Sequence, residues 1–340
     1  MSHDPERTIA DRTLTVAWSQ DPMWKRTAFE RWFVRHWRRL AVGALVALGY
    51  TSVVAGAGAA IAEQLLRPPR RPIDASAIAR AYAVGTRTNS DLSAEALRAA
   101  DNAVLRAWWF VPRAKARGTV IVLHGQADNR VATLGFAELF LRERYRVLAP
   151  DARAHGSSGG AFATYGGLER DDLRAWADWV QQKSPDQCVF GVGSSMGAAI
   201  LIQTLPEVPF CSAVADSSFA DLPALVRWRI GSALHLRPGL HPVVAGPIVW
   251  AALWYARLAH GVPLGSARPV ARLAQARVPV LVIHGTADRD IPVGDAQTLA
   301  AANPRLVSLW LVGGATHTQT WAAASREYPE RVLRFLAAHQ

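Results

Sequence analysis

The stretch CVFGVGSSMGAAIL, residues 188–201, decides the fold of this chain. Its residues 189–192 form a short apolar run typical of a buried parallel strand. An alanine-rich apolar stretch at residues 198–205 indicates a helix, and between the two stands GSSMG, a Gly-x-Ser-x-Gly pattern at residues 193–197. A strand, a sharp turn and a helix are the context in which such a serine is exposed at the helix N-terminus. Ser195 is therefore the first candidate for a functional residue.

The chain around this stretch alternates between strand-like and helix-like patterns. Apolar strand-like runs occupy residues 104–111, 119–123, 146–149, 212–215, 278–283 and 306–311. Helices are predicted at residues 131–142, 168–182 and 321–338, and two weaker ones at residues 73–83 and 92–100. Such alternation predicts an α/β fold with a mostly parallel, doubly wound sheet and helices on both faces. In such a sheet, ligands bind at the carboxyl ends of the strands.

Six motifs, in order along the chain, carry a resemblance to a known family. They are LHGQADN at 123–129, DARAHGSSGG at 151–160, YGGLERDDL at 165–173, GSSMG at 193–197, HGTADRDIP at 284–292 and GATH at 314–317. Over residues 104–340 the chain resembles the α/β-hydrolases. Within them it is similar to the serine hydrolases that include membrane-anchored acylglycerol and acyl-protein hydrolases and the serine-aminopeptidase-like group. The resemblance implies an α/β-hydrolase fold with a helical lid, whereas the chemistry must be argued from individual residues.

The resemblance also implies that nucleophile, acid and histidine follow one another in that order. Ser195 lies in the turn, Asp288 follows the strand at 278–283 within HGTAD, and His317 follows the next strand within GGATH. A serine hydroxyl is a good nucleophile only when a base takes its proton, and a histidine held in one tautomer by a carboxylate supplies that base. We therefore predict that Ser195, Asp288 and His317 are the catalytic residues.

Other polar residues near strand ends have plainer interpretations. Asp290 is the rival of Asp288, but the family pattern HG-x-x-D selects Asp288, so we expect Asp290 to cap or support its loop. His124 and His284 precede glycines in turns, and His155 is expected to shape its own loop. We interpret these side chains as structural.

An acyl-transfer site also needs two backbone donors for the oxyanion. The N–H of Met196, next to the nucleophile at the helix N-terminus, is one candidate. The family takes the second donor from the residue after His-Gly, which in this chain is Gln126. Asp128 and Asn129 are expected to brace this loop or to cap the helix that follows.

The N-terminal part of the chain predicts a membrane anchor. Residues 1–39 form a basic, tryptophan-rich tail, and residues 40–62 are 23 residues without a charge, enough for one transmembrane helix. Residues 25–39 carry six basic residues against three at 63–72. The positive-inside rule therefore predicts a single-pass protein with its catalytic domain on the non-cytoplasmic side. The alternatives are a cleaved signal peptide and a buried helix. Residues 63–103 are predicted to form a linker with weak helices, in which RPPRRP is a stiff spacer.

Residues 219–277 form an insertion at the position of the family's lid. Apart from Asp221 it contains no acidic residue, but it has seven arginines and three tryptophans. An apolar inner face with a cationic rim suits an acyl substrate presented near anionic lipid. The alternative is that the aromatic residues only pack the insertion onto the domain. Residues 238–256 are long enough for a second span, but Pro242, Pro247 and the position in the fold disfavour it.

The composition limits the partners of the protein. The net charge is +11, with 38 Lys and Arg residues among 340. Because no basic block, zinc-finger signature or RNA-binding signature accompanies this charge, we predict no nucleic-acid partner and rank an anionic membrane surface first. Cys188 and Cys211 both begin apolar runs, and the sequence leaves open whether they are buried free thiols or form a disulfide.

Taken with the resemblance, these residues predict a membrane-anchored serine hydrolase. It is expected to cleave carboxylic esters or thioesters of an apolar, lipid-like acyl substrate through an acyl-enzyme, and no metal or cofactor is implied. One alternative is a peptidase or amidase with the same triad, which the lack of acidic residues in the insertion disfavours. Another is a non-catalytic hydrolase-fold scaffold, which the complete set of Ser195, Asp288 and His317 disfavours.

Overall fold

The computed structural model describes residues 27–185 and 187–340. These residues divide into a helical segment that ends at Ser52 and a compact unit that runs from Val53 to Gln340. Most of the predicted basic tail, residues 1–26, lies outside the described residues.

An eight-stranded sheet forms the centre of the compact unit. Its strands are β1 (Ser90–Arg98), β2 (Val104–Pro112), β3 (Thr119–Leu123), β4 (Arg146–Pro150), β5 (Val189–Ser194), β6 (Ser212–Asp216), β7 (Val280–Gly285) and β8 (Val307–Val312). Their order across the sheet is β1-β2-β4-β3-β5-β6-β7-β8. β1 pairs antiparallel with β2, and β2 pairs antiparallel with β4, whereas all the other pairs are parallel. The predicted mostly parallel sheet is confirmed.

Helices cover both faces of this sheet. The helices that the structure describes are α1 (Ala28–Leu66), α2 (Ala75–Arg87), α3 (Leu134–Arg142), α4 (Glu169–Lys183), α5 (Met196–Thr204), α6 (Leu222–Ala233), α7 (His241–His260), α8 (Pro269–Leu273), α9 (Val293–Ala302), α10 (Thr320–Ala323) and α11 (Glu327–Ala337). In β7, Val280 and Val282 belong to one apolar core, while Leu281 and Ile283 belong to the core on the other face. Since successive strand residues point to opposite faces, a strand buried on both sides must be apolar throughout.

The prediction for residues 92–100 is wrong. A helix was expected there, but the structure has strand β1, which pairs antiparallel with β2 along its whole length. Leu92 and Leu97 pack against opposite cores, as alternating strand positions do. The Ala, Leu and Glu residues of this segment favour a helix. This preference is overridden because pairing with β1 supplies hydrogen-bond partners to the backbone at the open edge of β2. The weak helix at residues 73–83 is confirmed as α2.

The helix predicted at residues 321–338 is also divided, into α10 and α11. Pro329 explains the break. A proline has no N–H, and its ring clashes with the carbonyl four residues earlier, which here is that of Ser325. The chain therefore leaves the helical path after Ala323 and begins again at Glu327, which places Pro329 in the first turn of α11.

Helix α1 is longer than the predicted span at residues 40–62. By length and composition, α1 and the segment Pro238–His260 could each cross a membrane, although signal sequences and core helices share these properties. From Val53 onward α1 belongs to the compact unit. There Gly58, Ala62 and Leu66 are buried at a spacing of four residues, which places them on one face of the helix.

This face packs on α7. A Cβ at Gly58 would lie 2.7 Å from the Cβ of Ala251, so the two helices approach so closely that only glycine fits. One turn further along, Glu63 accepts a hydrogen bond of 2.9 Å from the hydroxyl of Tyr255 and contacts His260. The end of α1 is therefore fastened to the insertion.

The segment after α1 is fastened as well. Arg70 donates hydrogen bonds to the carbonyl oxygens of Ser158 (2.6 Å) and Gly160 (2.7 Å). The side-chain amide of Asn129 donates to the carbonyl of Arg71 at 2.9 Å. RPPRRP was expected to be a stiff spacer, but these hydrogen bonds hold it against the surface of the compact unit.

The insertion between β6 and β7 consists of α6, α7 and α8, and its position matches the predicted residues 219–277. Two of its arginines form ion pairs, Arg268 with Asp221 and Arg272 with Glu207.

Cys188 and Cys211 form a disulfide that joins the starts of β5 and β6, with the two Cα atoms 5.6 Å apart. This resolves the alternative that the sequence left open.

Candidate active site

The site begins at the sharp turn between β5 and α5. Ser195 adopts φ = 53° and ψ = −116°, a backbone conformation that L-residues rarely take. Its N–H donates a 2.8 Å hydrogen bond to the carbonyl of Asp216 at the end of β6, which fixes the turn against the neighbouring strand. The turn presents Ser195 ahead of the first residue of α5, as the Gly-x-Ser-x-Gly pattern predicts.

The two glycines of the pattern permit this turn. A Cβ at Gly193 would lie 2.6 Å from the backbone of Gly197 and Ala198. A Cβ at Gly197 would lie 2.6 Å from the carbonyl oxygens of Leu123 and His124 at the end of β3. Any larger residue would push the start of α5 away from the sheet, so both glycines serve close backbone contact.

His317 and Asp288 complete the arrangement from two neighbouring loops. His317 lies in the loop after β8, and its Nε2 is 2.9 Å from the Oγ of Ser195. Its Nδ1 is 2.7 Å from Oδ2 of Asp288, which lies in the loop after β7. The three predicted residues are thus joined in one hydrogen-bonded row. In this row Nδ1 carries the proton and Nε2 is free to accept one from Ser195.

Both oxygens of the Asp288 carboxylate accept hydrogen bonds. Oδ1 accepts hydrogen bonds from the backbone N–H groups of Asp290 (2.8 Å) and Ile291 (2.9 Å). Burial raises the pKa of Asp288, but the hydrogen bond from His317 and those two backbone donors outweigh it, so the pKa lies below its usual value. Asp288 is therefore ionised at neutral pH, and it is held in one orientation.

Asp290 has the supporting role that the sequence suggests. Its N–H binds Asp288, and its carbonyl accepts a hydrogen bond of 3.0 Å from Nε of Arg229 in α6. The side chain of Asp290 is exposed at the rim of the site. Ligand atoms of Asp288, Asp290 and His317 lie within 4.8 Å of one another and could hold a metal ion by distance alone. However, Asp288 and His317 already use those atoms in the row with Ser195.

The predicted oxyanion donors flank the nucleophile. Gln126 follows Gly125, whose missing Cβ would lie 3.5 Å from the Cβ of Ser195, so this loop runs directly beside the serine. Met196 is the first residue of α5. Within residues 27–185 and 187–340, no backbone acceptor takes a hydrogen bond from the N–H of Gln126 or of Met196 outside regular structure. Both donors are therefore free to bind a substrate oxygen.

Ser195 and His317 open onto a cavity of about 340 Å³. Its walls come from the loops after β3, β5, β7 and β8, and Arg229 of the insertion closes one side. A site for a small molecule thus lies at the carboxyl ends of the parallel strands, where this kind of sheet binds ligands.

A sequence model of the alpha/beta hydrolase family matches residues 120–335. The chain belongs to the alpha/beta hydrolase family. This agrees with the strand order and with the position of the cavity, and it makes the protein a hydrolase.

Three known proteins are similar to this chain. YqkD of Bacillus subtilis (strain 168) is 29% identical over 219 residues, covering 64% of this chain and 70% of YqkD. The esterase Pf2001 of Pyrococcus furiosus aligns with a TM-score of 0.64 and 26% identity, over 81% of this chain and 98% of the esterase. The acylaminoacyl peptidase of Pyrococcus horikoshii aligns with a TM-score of 0.54 over 73% of this chain and 41% of the peptidase. At 13% identity it shows the fold alone.

The histidines that we interpreted as structural support the loops of the hydrolase. His124 donates from Nδ1 to the carbonyl of Gly125 (2.7 Å), and its Nε2 accepts from the N–H of Ala152 (3.0 Å). It therefore ties the loop after β3 to the loop after β4. Burial lowers the pKa of His124 and lowers that of His155 to about 4, so both rings are neutral at pH 7. His284 donates to the carbonyl of Ile291 at 3.0 Å.

The sequence interpretation missed Asp216. Its carboxylate is buried and accepts hydrogen bonds from the hydroxyls of Ser217 (3.0 Å), Thr320 and Tyr328 (2.9 Å). Its carbonyl meanwhile binds the N–H of Ser195. Asp216 thus fastens the C-terminal helices, which follow the loop of His317, to the strand beside the nucleophile. Its place at the end of a buried strand was the signal that could have identified it.

Proposed function

We propose that this hydrolase is a serine esterase or thioesterase that acts on apolar acyl substrates through an acyl-enzyme. The observation that carries the proposal is the row Ser195–His317–Asp288, with separations of 2.9 and 2.7 Å. Similarity to the esterase Pf2001 over nearly the whole of that protein supports an ester substrate.

The first half-reaction acylates Ser195. As its Oγ attacks the carbonyl carbon, its proton passes to Nε2 of His317, and the ionised Asp288 stabilises the imidazolium through the Nδ1–H bond. The carbonyl oxygen becomes an oxyanion, which accepts hydrogen bonds from the N–H groups of Gln126 and Met196. The imidazolium then gives its proton to the departing alcohol or thiol, and the acyl group remains on Ser195.

The second half-reaction releases the acid. A water molecule takes the place of the leaving group and gives a proton to His317 while its oxygen attacks the acyl carbon. Collapse of the second tetrahedral intermediate breaks the bond to Ser195, whose oxygen recovers the proton from His317. The same three side chains and two backbone donors serve both steps.

We propose in addition that α1 anchors the protein in a membrane with the hydrolase unit on the non-cytoplasmic side. The long uncharged run of α1 and the excess of basic residues before it support this orientation. The disulfide between Cys188 and Cys211 supports it too, because disulfides persist in oxidising compartments.

An anionic membrane surface is the proposed partner of the insertion. Among the described residues, no ion pair involves Arg227, Arg237, Arg257 or Arg277, so these guanidinium groups are available for lipid phosphates. Turnover of a long-chain ester by the full chain in nanodiscs should be faster with anionic than with zwitterionic lipid, and the difference should shrink as salt rises. Equal rates at low salt would exclude this partner.

The proposed chemistry is tested by labelling and by substrate choice. The full chain should react with a fluorophosphonate probe and should hydrolyse p-nitrophenyl esters in preference to aminoacyl p-nitroanilides. Preference for the anilides would assign the same triad to a peptidase or amidase. Absence of both labelling and turnover in a folded protein would support the non-catalytic scaffold.

A further inference from the structure

A second cavity, of about 320 Å³, lies beside the catalytic one. Gln126 and Arg229 line both cavities, so the two meet at the loop that carries a proposed oxyanion donor. Beyond this junction the walls come from two helices only. These lining residues are Ile61, Gln64 and Leu65 of α1, and Val226, Ile230 and Ala233 of α6.

The position of this cavity fits one part of the proposed substrate. When the carbonyl oxygen of an ester lies against the N–H of Gln126, the acyl chain must leave the carbonyl carbon on a path past the same loop. The space beyond Gln126 is lined mainly by aliphatic side chains, of which Ile61, Leu65 and Ile230 also pack against the core of the unit. Aliphatic walls bind hydrocarbon by excluding water from it.

The part of α1 that lines this cavity is held in the compact unit by hydrogen bonds. The hydroxyl of Tyr165 donates to the carbonyl of Leu65 at 3.1 Å and lies close to the side chain of Gln126. The carbonyl of Leu66 accepts a 2.8 Å hydrogen bond from the N–H of Ala163. One residue, Tyr165, therefore connects the end of α1 to the loop beside Ser195. The position of Leu65 relative to the reacting carbonyl is fixed by these bonds.

We propose that this second cavity is the acyl-chain subsite, and that Ile61 and Leu65 of α1, facing Val226 and Ile230 of α6, determine which chain lengths are accepted. The helix that resembles a membrane anchor is thus also a wall of the substrate site. This proposal rests on the proposed esterase function and names the part of the substrate that the α1–α6 space receives.

The test is a chain-length profile. The full chain, purified in detergent, is assayed for kcat/KM with p-nitrophenyl esters from acetate to dodecanoate. For the unmodified protein, kcat/KM should rise about fourfold per methylene until the cavity is full, from about 0.8 kcal/mol per buried methylene. Leu65→Trp fills the cavity, so it should lower the ratio of kcat/KM for decanoate to kcat/KM for acetate by about tenfold or more.

Two further variants separate a specificity role from damage to the fold. Ala60→Trp adds the same side chain to an exposed position of α1 and should leave the whole profile unchanged. Leu65→Ala enlarges the cavity and should move the optimum to longer esters. A parallel loss for short and long esters in both Leu65 variants would mean that Leu65 is only structural, and an unchanged profile would place the acyl chain elsewhere. Either result would refute the proposed subsite but not the proposed esterase function. Absence of ester turnover by the unmodified protein would refute both proposals.

Discussion

Replacing Asp288 by Asn tests the site most directly, because the structure determines how the new amide must lie. Oδ1 of Asp288 accepts hydrogen bonds from two backbone N–H groups, those of Asp290 and Ile291. In the Asp288→Asn variant the carbonyl oxygen of the side-chain amide must keep this position, since an NH₂ group there would face two donors. The NH₂ group is therefore directed at Nδ1 of His317.

This orientation reverses the tautomer of His317. An NH₂ group can bond Nδ1 only when Nδ1 carries no proton, so the proton moves to Nε2, which then faces the hydroxyl of Ser195 and cannot accept its proton. Where such a carboxylate fixes the tautomer, its replacement by Asn lowers kcat by about 10⁴, which corresponds to about 5.4 kcal/mol of activation free energy. We expect a loss of that size for Asp288→Asn, measured as kcat for a p-nitrophenyl ester.

Asp290→Asn is the matched control, because it makes the same chemical change two residues away. The carboxylate of Asp290 is exposed, and its loop is held through backbone atoms. We expect kcat to fall less than about threefold, a change of under about 0.7 kcal/mol. Circular dichroism should show both variants folded. If Asp290→Asn were the more damaging variant, or if Asp288→Asn kept a tenth of the activity, the assignment of Asp288 would be refuted.

Three further predictions use other parts of the chain. Ser195→Ala should abolish fluorophosphonate labelling without changing the circular dichroism spectrum; labelling at the normal rate would move the nucleophile elsewhere. A reporter fused after Gln340 should be active only outside the cytoplasm, and cytoplasmic activity would reverse the proposed orientation. Hydrogen bonds from Arg87 and Arg142 lower the pKa of Glu138 to about 2. The stabilisation by ionised Glu138 is fully present above about pH 4.5 and is lost as the pH falls through 2. Glu138→Gln should therefore lower the free energy of unfolding, measured by urea denaturation, by roughly 0.5 kcal/mol at pH 7 and by progressively less as the pH falls through 2.

The strand predictions, and the expectation that three distant side chains meet, agree with the structure where a short segment determines its own conformation. Gly193 and Gly197 are needed for backbone contacts within and beside the turn, so the pattern around Ser195 predicts the turn that the structure contains. Asp288 and His317 each follow a buried strand, and parallel neighbouring strands bring their carboxyl ends together at one edge. The order of the motifs was therefore enough to predict that the three side chains meet.

The predictions failed where the outcome depends on a distant partner. Residues 92–100 have helix-forming side chains, but the edge of β2 converts them into β1. The carboxylate of Asp216 is bound by hydroxyls more than 100 residues away, at Thr320 and Tyr328. No local pattern contains that information, because the same residues in another tertiary setting would have other partners.

Helix α1 shows how one sequence feature can carry two meanings. An uncharged run predicts a membrane span, yet Gly58 and Ala62 within the predicted span are buried against the compact unit. If α1 anchors the protein as proposed, the part of the run left for lipid is residues 40–57, about 18 residues or roughly 27 Å of helix, close to the thickness of a hydrocarbon core. Ile61 and Leu65 then follow about one and about two helical turns after the end of the lipid-exposed part. If both proposals hold, the residues that select the acyl chain belong to the helix that anchors the protein, which gives a physical reason for combining an anchor and a substrate wall in one helix.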